Sequence, residues 1–327
     1  MWRYSHLLVV VSVLFAMACS SGDNGGTTGP VDTRQRIQAY VTTSVPATDD
    51  PFDQLWDSVD VDTVPLRRSG SIINSIAALP THCEVQVIRT GERLYIRCGW
   101  SDPELHLQVK PWRVTATDGR PRFRRDSSAY DFGEDQLLIM FDGAPFGGWD
   151  TWRWMAYRTG TVGLAEGLTY RNGSFTVDAY TAAIYLDNFV TEDSLPKYVS
   201  IDGPAFVGDT LYLAETSEDP GSFVSGWTLN QLVPGYVIDS AAARQVKANP
   251  QSRWDILAAW DYATAEGYHT VVLSRKLNTG FASGEDLNMA GLDSVAVRIG
   301  MLDDLPDLIP NNSSQQAFTS ELVLKLQ

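Results

Sequence analysis

Short runs of β-forming residues recur along the chain, and they constrain its fold more than any other feature. Several of the runs alternate apolar and polar residues, and Gly, Pro, Asp or Asn bound them, as strands joined by turns are bounded. They are RLYIRCGW (93–100), DQLLIMFD (135–142), WRWMAYR (152–158), SFTVDAY (174–180), TLYLAET (210–216), YHTVVLSRKL (268–277), DSVAVRIGML (293–302) and SELVLKLQ (320–327). We therefore predict an all-β protein, with one antiparallel β-sandwich and its loop insertions over residues 46–327.

One further stretch leaves the choice of secondary structure open. Residues 251–267, QSRWDILAAWDYATAEG, include many helix-forming side chains, but the spacing of their aromatic residues also suits a strand.

The N-terminus has the features of an export signal. A single positive charge, Arg3, precedes an apolar run over residues 7–18, which is shorter than the roughly 20 residues that span a bilayer. The run leads into Cys19 through Ala-Met-Ala, which resembles a bacterial lipobox; an ordinary signal peptide with a chance cysteine is the alternative. We expect a signal peptide at 1–18, a lipidated Cys19, a flexible tether at 19–45, and an exported protein anchored to the cell envelope, at the outer membrane or cell surface.

The charge of the chain limits its partners. A formal net charge of -15 argues against nucleic acids and anionic membrane surfaces, since binding to either depends on Lys and Arg. We expect contact with a membrane only through the lipid.

Two cysteines remain in the segment HCEVQVIRTGERLYIRCGW (82–100), where alternating runs flank Thr-Gly-Glu. Pairing the runs about residues 90 and 91 places Cys83 opposite Cys98 in an antiparallel hairpin. In an exported protein such a pair oxidises. We therefore predict a structural disulfide, worth about 3 kcal/mol for a loop of this length in the chain-entropy model.

Several segments together resemble a known family. They are DPFDQLWDSVDVDTVPL (50–66), RLYIRCGWSDPELH (93–106), EDQLLIMFDGAPFGGWDTWRWMAYRTGTVGLAEG (134–167) and YHTVVLSRKLNTGFASGEDLNMAGLDSVAVRIGMLDD (268–304). Their order resembles the haem-binding (gamma) subunit of ethylbenzene dehydrogenase and its relatives, the cytochrome-type domain that accompanies DMSO-reductase-like molybdenum enzymes. The resemblance covers residues 48–305, and DTWRW and VVLSRKLNTG are its most specific parts.

The resemblance implies a sandwich of the immunoglobulin, DOMON or carbohydrate-binding-module type that holds haem b and passes electrons to a redox partner protein. A degenerate descendant of that domain, without haem, is the alternative. Its iron would have a lysine and a methionine as axial ligands. Lys276 lies in the matching strand-end motif, although a snorkelling lysine at a sheet rim is the alternative. Met140 and Met155 are the candidate methionines, since the intervening loop contains none. His269 is a substitute ligand, and Trp152 and Trp154 would line the cofactor.

A second hypothesis comes from the aromatic residues. If the region around Trp152 and Trp154 faces solvent, its rings could stack on a sugar, and the protein would be a non-catalytic carbohydrate- or ligand-binding module. Packing of both rings in the core is the alternative. Neither Gly-x-Ser-x-Gly nor His-Glu-x-x-His occurs, so the sequence gives no support for a hydrolase, and a glycosidase with paired carboxylates stays an open alternative. Asp286 and Asp303 belong to a set of acids that could bind Ca²⁺, with solvated turn acids as the alternative.

Overall fold

The computed structural model describes residues 33–68, 79–117, 120–125, 133–145, 147–189, 196, 198–200, 211–213, 229–230, 232–281, 285–305 and 316–327. The predicted signal peptide and the lipidation site Cys19 lie outside the described residues. One compact unit extends over Arg34–Gln327.

In chain order the strands are β1 (Arg36–Gln38), β2 (Tyr40–Val41), β3 (Asp62–Arg68), β4 (His82–Arg89), β5 (Arg93–Ser101), β6 (Trp112–Thr117), β7 (Arg120–Arg125), β8 (Glu134–Asp142), β9 (Trp149–Met155), β10 (Leu164–Arg171), β11 (Ser174–Val177), β12 (Tyr185–Asp187), β13 (Tyr198–Ser200), β14 (Leu211–Leu213), β15 (Leu232–Val233), β16 (Tyr236–Ile238), β17 (Ile256–Ala263), β18 (Tyr268–Lys276), β19 (Ser294–Leu305), β20 (Gln316–Thr319) and β21 (Leu322–Lys325). The edge strands β1 and β3 alternate buried and exposed side chains, whereas the central strands β8, β9 and β18 are buried along nearly their whole length.

Fourteen of the described strands form two packed layers, as the sequence predicts, and the other seven form three small sheets, β12-β16, β13-β14 and β15-β6-β7. One layer has the order β3-β4-β5-β18-β17, and the other has the order β10-β9-β8-β19-β21-β1. The layers are joined at both edges, because β10 pairs with both β9 and β17 and β20 pairs with both β19 and β3. Apart from the short parallel pairs β1–β21 and β2–β4, the ladders of these layers are antiparallel, so the predicted antiparallel β-sandwich is confirmed.

The compact unit starts earlier than the boundary expected at residue 46. The strand β1 pairs with β21 and buries Ile37 to 1% exposure. Part of the segment expected to be a flexible tether therefore belongs to the sandwich. Burial of Ile37 orders β1 against β21, whereas a polar tether has no apolar side chain to bury.

The inner faces of the two layers form the hydrophobic core. Val271 and Leu273 of β18 pack with Ile139 of β8 and Trp152 of β9, and each is at most 1% exposed. Burying each aliphatic side chain stabilises the fold by about 1.5–3 kcal/mol relative to its exposed state. The alternation along each strand thus determines which side chains face this core and which face away from it.

The predicted disulfide between Cys83 and Cys98 is wrong in this structure. The last ladder pair of the hairpin is Arg89–Leu94, and the Thr90 N–H donates to the Arg93 carbonyl at 2.9 Å. The turn is therefore centred one residue later than predicted, which shifts the register by two residues and pairs Cys98 with Val85. Both thiols are buried and free in the described part of the chain.

The helix α1 (Ser240–Ala248) covers one flank of the sandwich. Asp239 caps it by accepting from the Ala242 N–H at 2.8 Å, and its apolar face buries Ala243 and Val246. The ambiguous stretch at 251–267 resolves into a single 3₁₀ turn at Ser252–Trp254 followed by β17. Across the described residues, none of the helices has the length and apolar character that a membrane crossing requires.

Candidate functional site

The strand β18 positions the candidate site through its alternation. Its inner face carries His269 at one end and Arg275 at the other, with the apolar core between them. Lys276 follows directly and, being next in the alternation, points to the outer face, where it is exposed. In the motif SRKL, the Arg275 side chain therefore lies inside the sandwich, and the Lys276 side chain faces solvent.

Arg275 is the centre of a buried ionic cluster. Its two terminal nitrogens lie 3.1 Å and 2.5 Å from the two carboxylate oxygens of Asp150, a bidentate arrangement. Asp286 lies 3.3 Å from Nη1, and Asp255 lies 3.9 Å from Nε. The guanidinium carbon sits 5.0 Å from the ring centroid of Trp152. This one guanidinium therefore neutralises part of the charge of three aspartates.

The carboxylates outnumber the cations here. Burial raises the pKa of Asp178 to about 8, and the nearby charges of Asp150 and Asp286 add to the effect. Burial also raises the pKa of Asp255 well above its usual range, although the Arg275 charge opposes this. The solvated-turn alternative placed Asp286 in water, whereas it is buried in this cluster.

Substituting Asp178 tests this excess of negative charge. Because its folded-state pKa lies above the unfolded value of 3.8, its contribution to stability is complete below about pH 4 and is lost as pH rises toward 8. We expect Asp178→Asn, which cannot ionise, to be more stable than the wild type at pH 8 by at least about 1 kcal/mol, with the difference declining toward pH 4. Urea unfolding at several pH values measures this. The exposed Asp261→Asn is the control, and a difference that does not change with pH contradicts the assignment.

A cavity of about 130 Å³ opens beside this cluster. Arg93, Asp255, Lys276 and Thr279 line it, together with Pro250 and Phe281. A more open cavity of about 330 Å³ adjoins it, because Pro250 and Phe281 also line that space. Its other walls are Ala179, Tyr180, Thr181, Gln251 and Ser252. We call the two cavities together the Lys276 groove.

The polar groups of the groove's inner cavity are not all satisfied by the protein. Both carboxylate oxygens of Asp255 are buried and have no hydrogen-bond partner within the described ranges. On the same wall, Arg93 donates through Nη2 to the carbonyl and hydroxyl oxygens of Ser274, at 3.0 Å and 3.2 Å. These bonds hold Arg93 in place, and the Asp255 oxygens that line the same cavity can still accept hydrogen bonds.

The outer part of the groove is built from two loops that brace each other. Thr181 and Gln251 exchange two hydrogen bonds of 2.5 Å, one through the Thr181 N–H and one through its hydroxyl. Tyr180 is 44% exposed, and the guanidinium of Arg253 lies 4.3 Å from its ring centroid. The Tyr180 ring at the mouth of the groove therefore packs against the buried guanidinium of Arg253.

Comparisons with known proteins describe the fold only loosely. No family model and no curated protein matches the sequence. A family 9 carbohydrate-binding module from Caldicellulosiruptor kristjanssonii in complex with cellotriose is similar in structure, with 11% identity over 90% of this chain and 95% of that chain and a TM-score of 0.34. A putative carbohydrate-binding protein from Bacteroides uniformis shows 7% identity over 90% of this chain and 92% of that chain, with a TM-score of 0.33. At such scores the similarity supports no inference about the ligand of this chain.

The structure separates the residues predicted to bind haem. Lys276 lies on the outer face of one layer, whereas Met140 packs with Leu138 and Leu302 on the outer face of the other. Because the inter-sheet core lies between them, this pair does not fit a single iron. Met155 is fully buried and alternates away from the inner face that carries Trp154. Haem b stays a prediction of the resemblance alone.

The remaining predicted residues lie inside the sandwich. Trp152 and Trp154 are 0% exposed, so neither ring is available for stacking on a ligand from solvent. His269 is also 0% exposed, with its ring centroid 6.1 Å from that of Trp154. The structure thus brings Trp154 and His269 together and leaves Lys276 at a separate place.

Sequence reasoning missed most of the groove. Tyr180 ends one predicted strand run, and Phe281 follows the turn at Gly280 that ends another. Aromatic residues directly after strand ends are a weak signal for a ligand-binding loop. Asp255 carries no such signal, because nothing in its local sequence shows that Arg275 and Lys276 flank it.

Proposed function

We propose that this protein is a non-catalytic glycan-binding β-sandwich whose ligand occupies the Lys276 groove. The observation that carries the proposal is the pairing of buried, unsatisfied oxygens on Asp255 with the donors Arg93 and Lys276 along one small cavity. A sugar hydroxyl both donates and accepts hydrogen bonds, so adjacent hydroxyls need an acceptor and a donor on the same wall. A cavity of this kind, mostly apolar with a few placed polar groups, is typical of small-ligand sites.

The aromatic wall supports the same ligand class. Tyr180 and Phe281 line the open part of the groove, next to the polar inner cavity. The C–H face of a pyranose packs on an aromatic ring and buries apolar surface on both partners. A sugar unit would then have one face on the rings and its hydroxyl edge toward Asp255. We further propose that the predicted lipid anchor presents this groove to glycans outside the cell.

Substituting Tyr180 tests the proposal directly. We expect Tyr180→Ala to weaken binding of the best ligand from a glycan array by at least about tenfold, because the stacking surface is lost. Tyr40→Ala is a matched control, since Tyr40 is a tyrosine of nearly equal exposure, 41% against 44%, that does not line the groove. Isothermal titration calorimetry gives both affinities.

Substituting Lys276 and measuring both glycan and haemin binding separates the two hypotheses. Lys276→Ala should also weaken glycan binding, because a hydroxyl loses its donor. Equal affinities for Tyr180→Ala and Tyr40→Ala, or no glycan bound at all, would overturn the proposal. A saturable Soret band on titration with haemin, lost in Lys276→Ala, would support the haem hypothesis instead.

A further inference from the structure

A second polar cluster lies at the opposite end of the inner face of β18 from Arg275. Its members are two imidazoles and three carboxylates, contributed by both layers of the sandwich. His269 comes from β18, Asp102 directly follows β5, Asp135 lies in β8, Asp303 lies in β19, and His106 lies in the segment after β5. We call this the His269 cluster. Its residues are different from those that line the Lys276 groove.

Asp135 connects two sets of potential ligand atoms. On one side, His269 Nε2 lies 3.3 Å from Asp135 Oδ2 and 4.0 Å from Asp102 Oδ2. On the other side, His106 Nδ1 lies 3.2 Å from Asp135 Oδ1 and 3.1 Å from Asp303 Oδ1. The His106 backbone N–H donates to Asp135 at 2.8 Å, which holds the shared carboxylate in its orientation.

These separations match the geometry around a small cation. Zn²⁺ takes tetrahedral N and O ligands at about 2.0–2.2 Å, which places neighbouring ligand atoms about 3.3–3.6 Å apart. The ligand atoms of each set lie within 4.8 Å of one another. Each set supplies three of the four ligands of a tetrahedral ion, and a modest contraction of the longest separation would bring all three within bonding distance of it.

The state of His269 is independent evidence for a ligand. Its side chain is 0% exposed, and neither ring nitrogen has an aligned hydrogen-bond partner in the described portion of the protein. The ring is held in place by Trp100, stacked at 4.7 Å, and by Tyr262, also at 4.7 Å. Nε2 lies 3.3 Å from Asp135 Oδ2, but this contact is not aligned as a hydrogen bond, so the buried imidazole lacks the aligned bond that buried polar groups normally have. Coordination of a metal ion through Nε2 supplies one.

We propose that the His269 cluster binds a divalent transition-metal ion of the Zn²⁺ class, with Asp135 as the shared carboxylate. The mixed imidazole and carboxylate donors favour Zn²⁺ over Ca²⁺ and Mg²⁺, which prefer oxygen ligands alone. His106 is the solvent side of the site, because its side chain is 27% exposed whereas those of Asp135 and His269 are buried. An ion in the first set would join β18 and the residue after β5 to β8 of the other layer, and an ion in the second set would join the segment after β5 to β8 and β19.

Metal content and thermal unfolding of the full-length chain test this proposal. After treatment with a chelator, we expect Zn²⁺ to bind in stoichiometric amount and to raise the melting temperature by several degrees, while Ca²⁺ and Mg²⁺ at the same concentration do neither. His106→Ala and His269→Ala should each weaken Zn²⁺ binding by more than about tenfold. Because His106 is partly exposed, its variant reports on the site even where His269→Ala fails to fold.

His82→Ala provides the matched control. His82 is an exposed histidine outside the cluster, so its variant should retain both the Zn²⁺ content and the rise in melting temperature. Absence of stoichiometric Zn²⁺, or equal Zn²⁺ affinity in His82→Ala and His106→Ala, overturns the proposal. Neither outcome affects the glycan experiment, which uses residues at the other end of the sandwich.

Discussion

Replacing Arg275 by leucine is expected to lower the free energy of unfolding by about 3–5 kcal/mol, the usual cost of removing one partner from a buried ion pair. Arg275 is 1% exposed and lies among Asp150, Asp255 and Asp286. Without its charge, these carboxylates stay buried with no cation between them, and each must either take up a proton or remain charged at a cost. Urea unfolding at pH 7, followed by tryptophan fluorescence, measures the change.

Two further variants make this prediction specific. Arg275→Lys keeps the charge but loses the planar fork that reaches both oxygens of Asp150, so we expect a smaller loss than with leucine. Arg298→Leu removes a half-exposed arginine whose 3.5 Å pair with Glu321 lies at the surface, and it should cost no more than about 1 kcal/mol. A loss for Arg275→Leu as small as that for Arg298→Leu would show that the buried cluster contributes little.

The features that could be predicted from the sequence are those set by local periodicity. Alternation in YHTVVLSRKL places Lys276 on the face of Val272 and Ser274, and Arg275 on the face of Val271 and Leu273, as the structure has them. Turn residues between such runs are likewise local, so the antiparallel sandwich follows from the sequence. These inferences need no knowledge of which strands lie side by side.

The features that could not be predicted depend on contacts between distant segments. Asp150, Asp255 and Asp286 belong to different parts of the chain, and only the order of strands in the two layers brings them to Arg275. The error at Cys98 has a different origin. A hairpin turn centred one residue later shifts the partner by two positions, and sequence alone does not distinguish the two turns.

Trp154→Ala is the second substitution for which we expect a large effect, a loss of about 3–5 kcal/mol in the free energy of unfolding. Trp154 is 0% exposed on the inner face of β9, with ring centroids of Trp100 and Trp260 at 6.3 Å and 5.4 Å. Removing the indole leaves a cavity between two layers that are joined at both edges and therefore cannot easily close over it. Trp154→Phe fills part of this space and should cost less.

The glycan affinity of the same variant separates a core role from a ligand platform. Trp149→Ala, at the start of the same strand, is the stability control, because Trp149 is only partly buried and packs against the guanidinium of Arg298. At a temperature where Trp154→Ala is folded, it should bind glycan as the wild type does, since Trp154 does not line the Lys276 groove. A small loss of stability combined with a large loss of affinity would instead make the buried tryptophans the platform, and would require the sandwich to open around them.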